Sequence, residues 1–325
     1  MQYRKMGRTG LKVSGFGMGT MFFGEQVLEA EAINIMDTAF DKGINLFDTA
    51  NGYIEGKSEE IVGKALKNKR NEVVIATKVN YPQGNGPNDF GLSRKHILRA
   101  VEDSLRRLNT DYIDIYYAHA PDYTTPLEET LRAFDTLVQQ GKVRYIACSN
   151  YRAWQLMKAL WVSEQHNLAR FECIQSPYNL ITRDIEIELL PSCANEGVGV
   201  TVYNPLAAGL LTGKYNPSET PAANTRFGLM RFGQGEKRQY WSPANFQAVA
   251  ELKQIADDHG WSLVRFSLAW ILNNPLISST IIGASSARQL EENIGALDLK
   301  LTKEDSEACD KVWFELRPPR VFYGR

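Results

Sequence analysis

The sequence predicts an α/β chain folded as a single (β/α)8 TIM barrel. Three observations carry that expectation. Short apolar runs rich in Val, Ile and Tyr recur along the 325 residues. Segments with helical periodicity separate them. The ends of the runs also fall at a nearly constant interval of about 30 residues, the length of one strand–helix unit in such a barrel. The runs are continuous in their apolar character rather than alternating, as in strands buried on both faces. Strand–helix alternation makes the sheet parallel.

The candidate strands are, in order, "VSGFGMGT" (13–20), "INLFDT" (44–49), "VVIAT" (73–77), "YIDIYYA" (112–118), "RYIAC" (144–148), "ECIQS" (172–176), "VGVTVY" (198–203) and "STIIG" (279–283). The last residue of each, or the first just after it, is Thr20, Asp48, Lys78, His119, Ser149, Gln175, Tyr203 and Gly283. The steps between them are 28, 30, 41, 30, 26, 28 and 80 residues. The long last step holds a loop near 206–241, rich in Gly, Arg and Asn, and two helices near 243–259 and 261–273. Ile97, Val101, Leu105 and Leu108 mark the buried stripe of one connecting helix. Another opens at "TPLE" (125–128), where Thr125, Pro126 and Glu128 read as a capping box. The first twelve residues and a tail from about 303 fall outside the eight units. No linker-like shift in composition interrupts the chain, so 1–325 reads as one domain. A doubly wound dinucleotide fold is the rival. Its G-x-G-x-x-G fingerprint has a poor match in "GFGMGT", where the third glycine is misplaced and no helix follows at once. Gly15, Gly17 and Gly19 are expected instead to allow close packing in the first barrel strand.

Composition excludes several roles. Lys and Arg total 37 against 38 Asp and Glu, so no global field favours nucleic acid or an anionic membrane. No run of 18 apolar residues could span a bilayer. The opening Met-Gln-Tyr-Arg-Lys is not an apolar signal segment. Cys148, Cys173, Cys193 and Cys309 lack metal-ligand spacing and read as small buried hydrophobes in a reducing compartment. The expectation is a cytoplasmic protein without a metal site.

In a barrel the C-terminal strand ends converge on one face, where active sites lie. Asp48, Lys78, His119, Ser149, Gln175 and Tyr203 should therefore share one pocket. Tyr53 should join them from the second βα loop, across the turn at Asn51-Gly52. Taken singly, each has an ordinary reading: a cap, a rim charge, a satisfied core histidine. Together at equivalent positions they suggest chemistry. A tyrosine with a pKa of about 10 is a weak acid. A neighbouring ammonium favours the phenolate, and a carboxylate can hold that ammonium. A histidine nearby can hydrogen-bond a carbonyl oxygen. Such a set delivers a proton to a carbonyl while hydride comes from elsewhere. No side chain supplies hydride, so a nicotinamide cofactor is implied.

Seven stretches resemble the aldo-keto reductase superfamily: "GINLFDTANGY" (43–53), "IATK" (75–78), "GLSRKHI" (91–97), "GKVRYIACSN" (141–150), "IQSPYN" (174–179), "YNPLAAGLLTGKY" (203–215) and "GASSARQLEENIGAL" (283–297). The resemblance covers about residues 3–300. Within the superfamily it is similar to the branch of voltage-gated potassium channel β-subunits and bacterial NADPH-dependent reductases. It implies a catalytic tetrad of Asp48, Tyr53, Lys78 and His119, with Tyr53 as general acid. The channel β-subunits depart at the histidine position, whereas this chain keeps His119 in "YAHAPD".

The resemblance also implies an NADPH (NADP) site. Ser149, Asn150 and Gln175 match positions that hold the nicotinamide carboxamide, and Tyr203 matches the ring stacked beneath it. Thr20, Met21 and Asp48 are expected to bind the cofactor as well, and Met21 and Phe22, just past the first strand, are expected to line the pocket. Asn204, Pro205, Leu206 and Ala207 follow along the cofactor, and Lys214 and Arg226 match pyrophosphate contacts. Gly283, Ser285, Gln289, Glu292 and Asn293 match the adenosine end. Many relatives carry Lys where this chain has Gly283 and Arg where it has Gln289. Here the nearest cation is Arg288.

Substrate choice is expected to lie in "NYPQGNGPNDFG" (80–91), in 206–241 and in the tail "VWFELRPPRVFYGR" (312–325). The tail reads as an extended segment on the barrel exterior or as a pocket wall. The implied partner is a small-molecule carbonyl compound. Oligomeric state is not legible. Two rival functions are a regulatory NADP(H)-binding subunit and a Schiff-base aldolase with Lys78 as nucleophile.

Overall fold

Eight parallel strands close into a barrel in the order in which they occur along the chain. The computed structural model describes residues 1–223, 225–228 and 233–318. Its first compact unit, residues 1–176, 185–203 and 276–291, carries the barrel. An antiparallel hairpin, β1 (Tyr3–Lys5) and β2 (Lys12–Ser14), comes first. The barrel strands are β3 (Phe16–Gly19), β4 (Leu46–Asp48), β5 (Val74–Val79), β6 (Ile113–Ala118), β7 (Val143–Ser149), β8 (Phe171–Pro177), β9 (Gly199–Tyr203) and β10 (Ser279–Ile282). Each lies on a run expected from the sequence. The fold is a (β/α)8 TIM barrel.

Strand pleat decides what fills the barrel, since alternate side chains face opposite ways. Leu46, Val74, Ala76, Ile115, Tyr117, Ala147, Cys173 and Ile281 form one buried cluster inside it. Met6 and Val13 of the hairpin segment join that cluster from below, and Arg8 N–H donates to Gly197 O at 2.7 Å. Gly17 and Gly19 meet the expectation of close packing. A Cβ on either would lie 2.8 Å from the Ile281 side chain.

The helices connecting the strands in this unit are α1 (Glu29–Asp41), α2 (Lys57–Leu66), α3 (Arg94–Leu108), α4 (Leu127–Gln139), α5 (Ala153–Gln165) and α6 (Leu189–Glu196). Ser93 caps α3 by accepting from His96 N–H, and Ile97, Val101, Leu105 and Leu108 form its buried stripe as expected. The capping box at α4 does not form. The Thr125 hydroxyl donates to Asp122 Oδ2 at 2.8 Å, which leaves Pro126 at the N-cap with no side-chain cap. Glu128 instead accepts from Arg132 at 2.8 Å. Asp122 outcompetes the helix for the hydroxyl. Burial opposes its ionisation, but hydrogen bonds from Leu92 N–H, Thr124 and Thr125 outweigh that and hold its carboxyl at about 2.

The second compact unit comprises residues 177–184, 204–275 and 292–325. It contains α7 (Gly233–Tyr240), α8 (Pro243–Asp258) and α9 (Leu263–Asn273), the last two capped by Ser242 and Ser262. After β10 come α10 (Ala287–Ile294) and α11 (Lys303–Leu316). Two sequence expectations need correction here. The segment 206–241 is not simply loop. It holds 3-10 turns at Ala207–Thr212 and Arg226–Gly228 as well as α7, because its aromatic residues pack together. Tyr215 and Phe227 lie 4.9 Å apart, and Phe227 and Trp241 5.3 Å apart. The tail is not extended at its start. Residues 312–316 complete α11, which a Thr302–Asp305 capping box opens and which buries Val312 and Trp313. Arg183 pairs with Asp310 at 2.7 Å and lies over the Trp270 and Trp313 rings. Phe322 and Tyr323 fall outside the described residues.

All four cysteines are buried free thiols. Among the described residues no helix is long and apolar enough to cross a membrane.

Gly63 of α2 faces α3, where a Cβ would lie 2.6 Å from the Leu108 carbonyl and 2.7 Å from Arg107 O. A mid-helix Gly→Ala change ordinarily stabilises by about 0.5–1 kcal/mol. Here the sign reverses. Gly63→Ala is expected to cost about 1–3 kcal/mol by overpacking, measured by urea unfolding.

Candidate active site

β4 ends at Asp48, whose side chain is buried inside the barrel. The chain then runs across the end of β5: Thr49 N–H donates to Ala76 O and Asn51 N–H to Lys78 O. Tyr53 begins a short turn, Tyr53–Gly56, in which Ile54, Glu55 and Gly56 all have positive φ. Three left-handed residues in a row reverse the chain sharply enough to leave the phenol over the strand ends.

Lys78 is the residue those segments surround. Pleat directs it inward from β5, and it is fully buried. Its Nζ donates to Asp48 Oδ1 at 2.5 Å and to Thr49 O at 2.7 Å, and it reaches Tyr53 Oη at 3.5 Å. Burial lowers its pKa from the ordinary 10.5, while Asp48 and, at longer range, Glu59 favour the ammonium. Asp48 spends its other oxygen on Gln175 Nε2 at 2.9 Å.

His119 follows β6 directly and is buried. Tyr53 meets its ring edge-on at a centroid distance of 5.7 Å, and Tyr81 does so at 4.6 Å. Burial, and secondarily the charge of Lys78, push its pKa well below 6.5, so the ring is neutral at pH 7. A neutral imidazole can donate one hydrogen bond without competing for the proton of Tyr53.

The other barrel-rim candidates form a connected group. Asn150, at φ 64, donates through Nδ2 to His119 O at 2.9 Å and to Ser149 Oγ at 3.1 Å. Its Oδ1 accepts from Tyr203 Oη at 2.8 Å, and its backbone N–H donates to Gln175 O at 3.0 Å. A hydroxyl, two amides and a half-buried phenol ring thus stand at adjacent strand ends, a donor and acceptor set suited to a carboxamide. Thr20 is buried, but its hydroxyl serves the fold. It donates to Asp48 O at 3.1 Å and lies 2.7 Å from Ser58 Oγ. Met21 is half-buried.

Past β10, a Cβ on Gly283 would meet open space. Gln289 folds back so that its Oε1 accepts from Ser285 N–H at 2.8 Å and Ser285 Oγ at 3.0 Å. Arg288 is exposed and makes no ion pair among the described residues.

The remaining candidates belong to the second unit. Asn204 is left-handed at φ 58, and its Oδ1 accepts from Ala208 N–H at 2.6 Å. Ala207 and Ala208 are left-handed too, a strained run that only firm surroundings maintain. Pro205 is buried and Leu206 half-buried. Lys214 is exposed, lying over the Tyr215 ring at 5.1 Å, and Arg226 opens a 3-10 turn. Glu292 is exposed and Asn293 buried.

A model of the Aldo/keto reductase family matches residues 16–313. The chain belongs to the aldo/keto reductase family. The family generally uses NAD(P)H, which fits the donor set at the rim. A probable voltage-gated potassium channel subunit beta of Arabidopsis thaliana is 40% identical over 304 residues, 92% of either chain. One of Oryza sativa subsp. japonica is 40% identical over 317 residues, 96% of this chain and 95% of its own. A putative subunit of the same description from Schizosaccharomyces pombe is 38% identical over 334 residues, 99% of this chain and 96% of its own.

Sequence reasoning did not single out Thr49 or Tyr81, and it named Asn51 only for its turn. Thr49 acts through its backbone carbonyl, which any residue would supply. Asn51 is fully buried, and neither amide atom has a hydrogen-bond partner among the described residues. Tyr81 had a signal, since it lies three residues past Lys78 at the start of the expected substrate loop.

A histidine kept neutral by burial has a consequence for stability. Below about pH 6.5 the unfolded chain binds a proton that folded His119 refuses, so stability falls as pH drops toward the folded pKa. His96 acts in the same direction. Each contributes up to about 1.4 kcal/mol per pH unit in that window. Melting curves between pH 7 and 5 are expected to show a shallower loss for His119→Asn than for the unaltered protein.

Proposed function

We propose that the chain reduces a carbonyl compound, an aldehyde, ketone or keto-sugar, to an alcohol with NADPH. The observation that carries this reading is Lys78, buried between Asp48 and the Tyr53 phenol, with neutral His119 edge-on to the same phenol. Bound NADPH would supply hydride to the carbonyl carbon. Tyr53 gives its proton to the carbonyl oxygen. Lys78 stabilises the phenolate left behind, and Asp48 fixes the ammonium. His119 donates a hydrogen bond to the carbonyl oxygen and sets its direction. Ser149, Asn150 and Gln175 would hold the carboxamide, with Tyr203 against the nicotinamide face. Thr20 and Met21 would flank it, and residues 204–207, Lys214 and Arg226 would follow the cofactor outward. Gly283, Ser285, Arg288, Gln289, Glu292 and Asn293 would take the adenosine end, where the N-terminus of α10 favours phosphate. The reading treats 1–325 as one functional domain working in the cytoplasm.

The relatives' names favour a second reading, a channel subunit, in which the nucleotide site would serve an NADP(H)-binding regulatory role. A panel of carbonyl compounds followed by loss of NADPH absorbance separates the two. Tight NADPH binding with no turnover of any member would favour the regulatory role.

Tyr53→Phe keeps the ring and removes the proton donor. Turnover is expected to fall by about 10²–10⁴-fold, with NADPH affinity little changed in a fluorescence titration. A variant within about threefold of the normal rate would exclude this tyrosine as the acid.

Arg288 is expected to contact the 2′-phosphate. A charge-assisted contact is worth roughly 1.5–3 kcal/mol, about ten- to over a hundredfold in affinity. Arg288→Ala should lose most of the preference for NADPH and leave NADH affinity nearly unchanged. Equal dissociation constants for the two cofactors in the unaltered protein would defeat this assignment.

A further inference from the structure

Behind Lys78 and Tyr53 lies a buried ion pair that the proposed chemistry leaves unused. Glu59, in the first turn of α2, is fully buried. Its Oε1 accepts from Thr77 Oγ1 at 2.6 Å, and its Oε2 from Arg107 Nε at 2.7 Å. Thr77 precedes Lys78 on β5, so its side chain leaves the opposite face of the strand. Arg107 comes from the last turn of α3, and its side chain lies against Gly56. A Cβ on Gly56 would stand 2.7 Å from Arg107 Cδ and 2.8 Å from Nε.

Gly56 closes the turn that Tyr53 opens. Ile54, Glu55 and Gly56 have φ of 46, 55 and 90°. Residues other than glycine adopt that region rarely, and such backbone persists only where its surroundings over-determine it. One ion pair therefore touches both halves of the acid. It reaches β5 behind Lys78 through Thr77, and the turn behind Tyr53 through Gly56.

We propose that Glu59 and Arg107 are positioning residues for the general acid, clamping β5 and the left-handed turn so that Lys78 Nζ and Tyr53 Oη stand within reach of each other. The proposal rests on Tyr53 being the acid. The groups facing Lys78 are Asp48 from β4, Tyr53 from the turn, and Tyr117 of β6 with His119 just past it, while Glu59 of α2 acts from across the strand. Glu59 faces Arg107, Thr77 and, at longer range, Tyr116. Its charge also favours the Lys78 ammonium through the strand.

Arg107→Met alone would strand a buried carboxylate and threaten folding. The double variant Glu59→Gln with Arg107→Met removes both charges together, and Thr77→Val cuts only the hydrogen bond from β5. Three quantities are measured on each: the thermal melt, kcat and KM for a carbonyl compound with NADPH, and the Tyr53 phenol titration. The titration is an ultraviolet difference against Tyr53→Phe in the same background, without cofactor. The folded double variant is expected to show kcat down about ten- to a hundredfold with KM within about threefold, and Tyr53 ionising at higher pH than in the unaltered protein. An unchanged Tyr53 titration in the folded double variant overturns the proposal, whatever the rate does. Should that variant fail to fold, Thr77→Val decides by the same titration. The titration needs no substrate, so an unaltered protein that turns over no carbonyl sinks the reductase reading alone.

Discussion

The ammonium of Lys78 inside the barrel is the constraint on which the rest of the site depends. Removing such a charge from water costs several kcal/mol unless it is paired and its protons are used. Asp48, Thr49 O and Tyr53 Oη take up those protons. Asp48 then has a second oxygen to satisfy, and Gln175 supplies the donor. Gln175 O in turn fixes Asn150, and Asn150 gathers Ser149, Tyr203 and the backbone of His119. Residues from β4 to β9 are thus linked by hydrogen bonds that begin at one amine. Burial keeps His119 neutral, and the charge of Lys78 adds to that effect.

Much of this was legible in the sequence because two periods overlap. Pleat puts every second residue inside, and the strand–helix repeat puts strand ends at one rim. Asp48, Lys78, His119, Ser149, Gln175 and Tyr203 satisfied both. What stayed hidden depends on competition between distant partners. Thr125 has the right spacing for a cap, but nothing local says that Asp122 will take its hydroxyl. Glu59 looks like any acidic residue in a first helical turn, and only Arg107, 48 positions on, makes it a buried ion. The order in 206–241 escaped for a related reason. Its Gly and Asn content marks turns, while the ring contacts of Tyr215, Phe227 and Trp241 that organise them are not local.

The names of the relatives and the proposed chemistry of the site point to different uses of one scaffold. A fold holds many functions, and function has to be argued from the site. The deciding position is His119. It lies edge-on to Tyr53, and the proposed reading gives it the carbonyl oxygen to hold.

The pairing of β3 with β10 has a consequence for biosynthesis. Phe16 and its neighbour Thr280 lie 264 positions apart along the chain (280 − 16). At ordinary ribosomal speeds the interval is on the order of tens of seconds. Throughout it, β3 has β4 on one side and an unsatisfied row of amides and carbonyls on the other. Glycines at positions 17 and 19 make that waiting edge flat and narrow, the kind that pairs readily with a stranger. Closure of the barrel by β10 is what removes that edge.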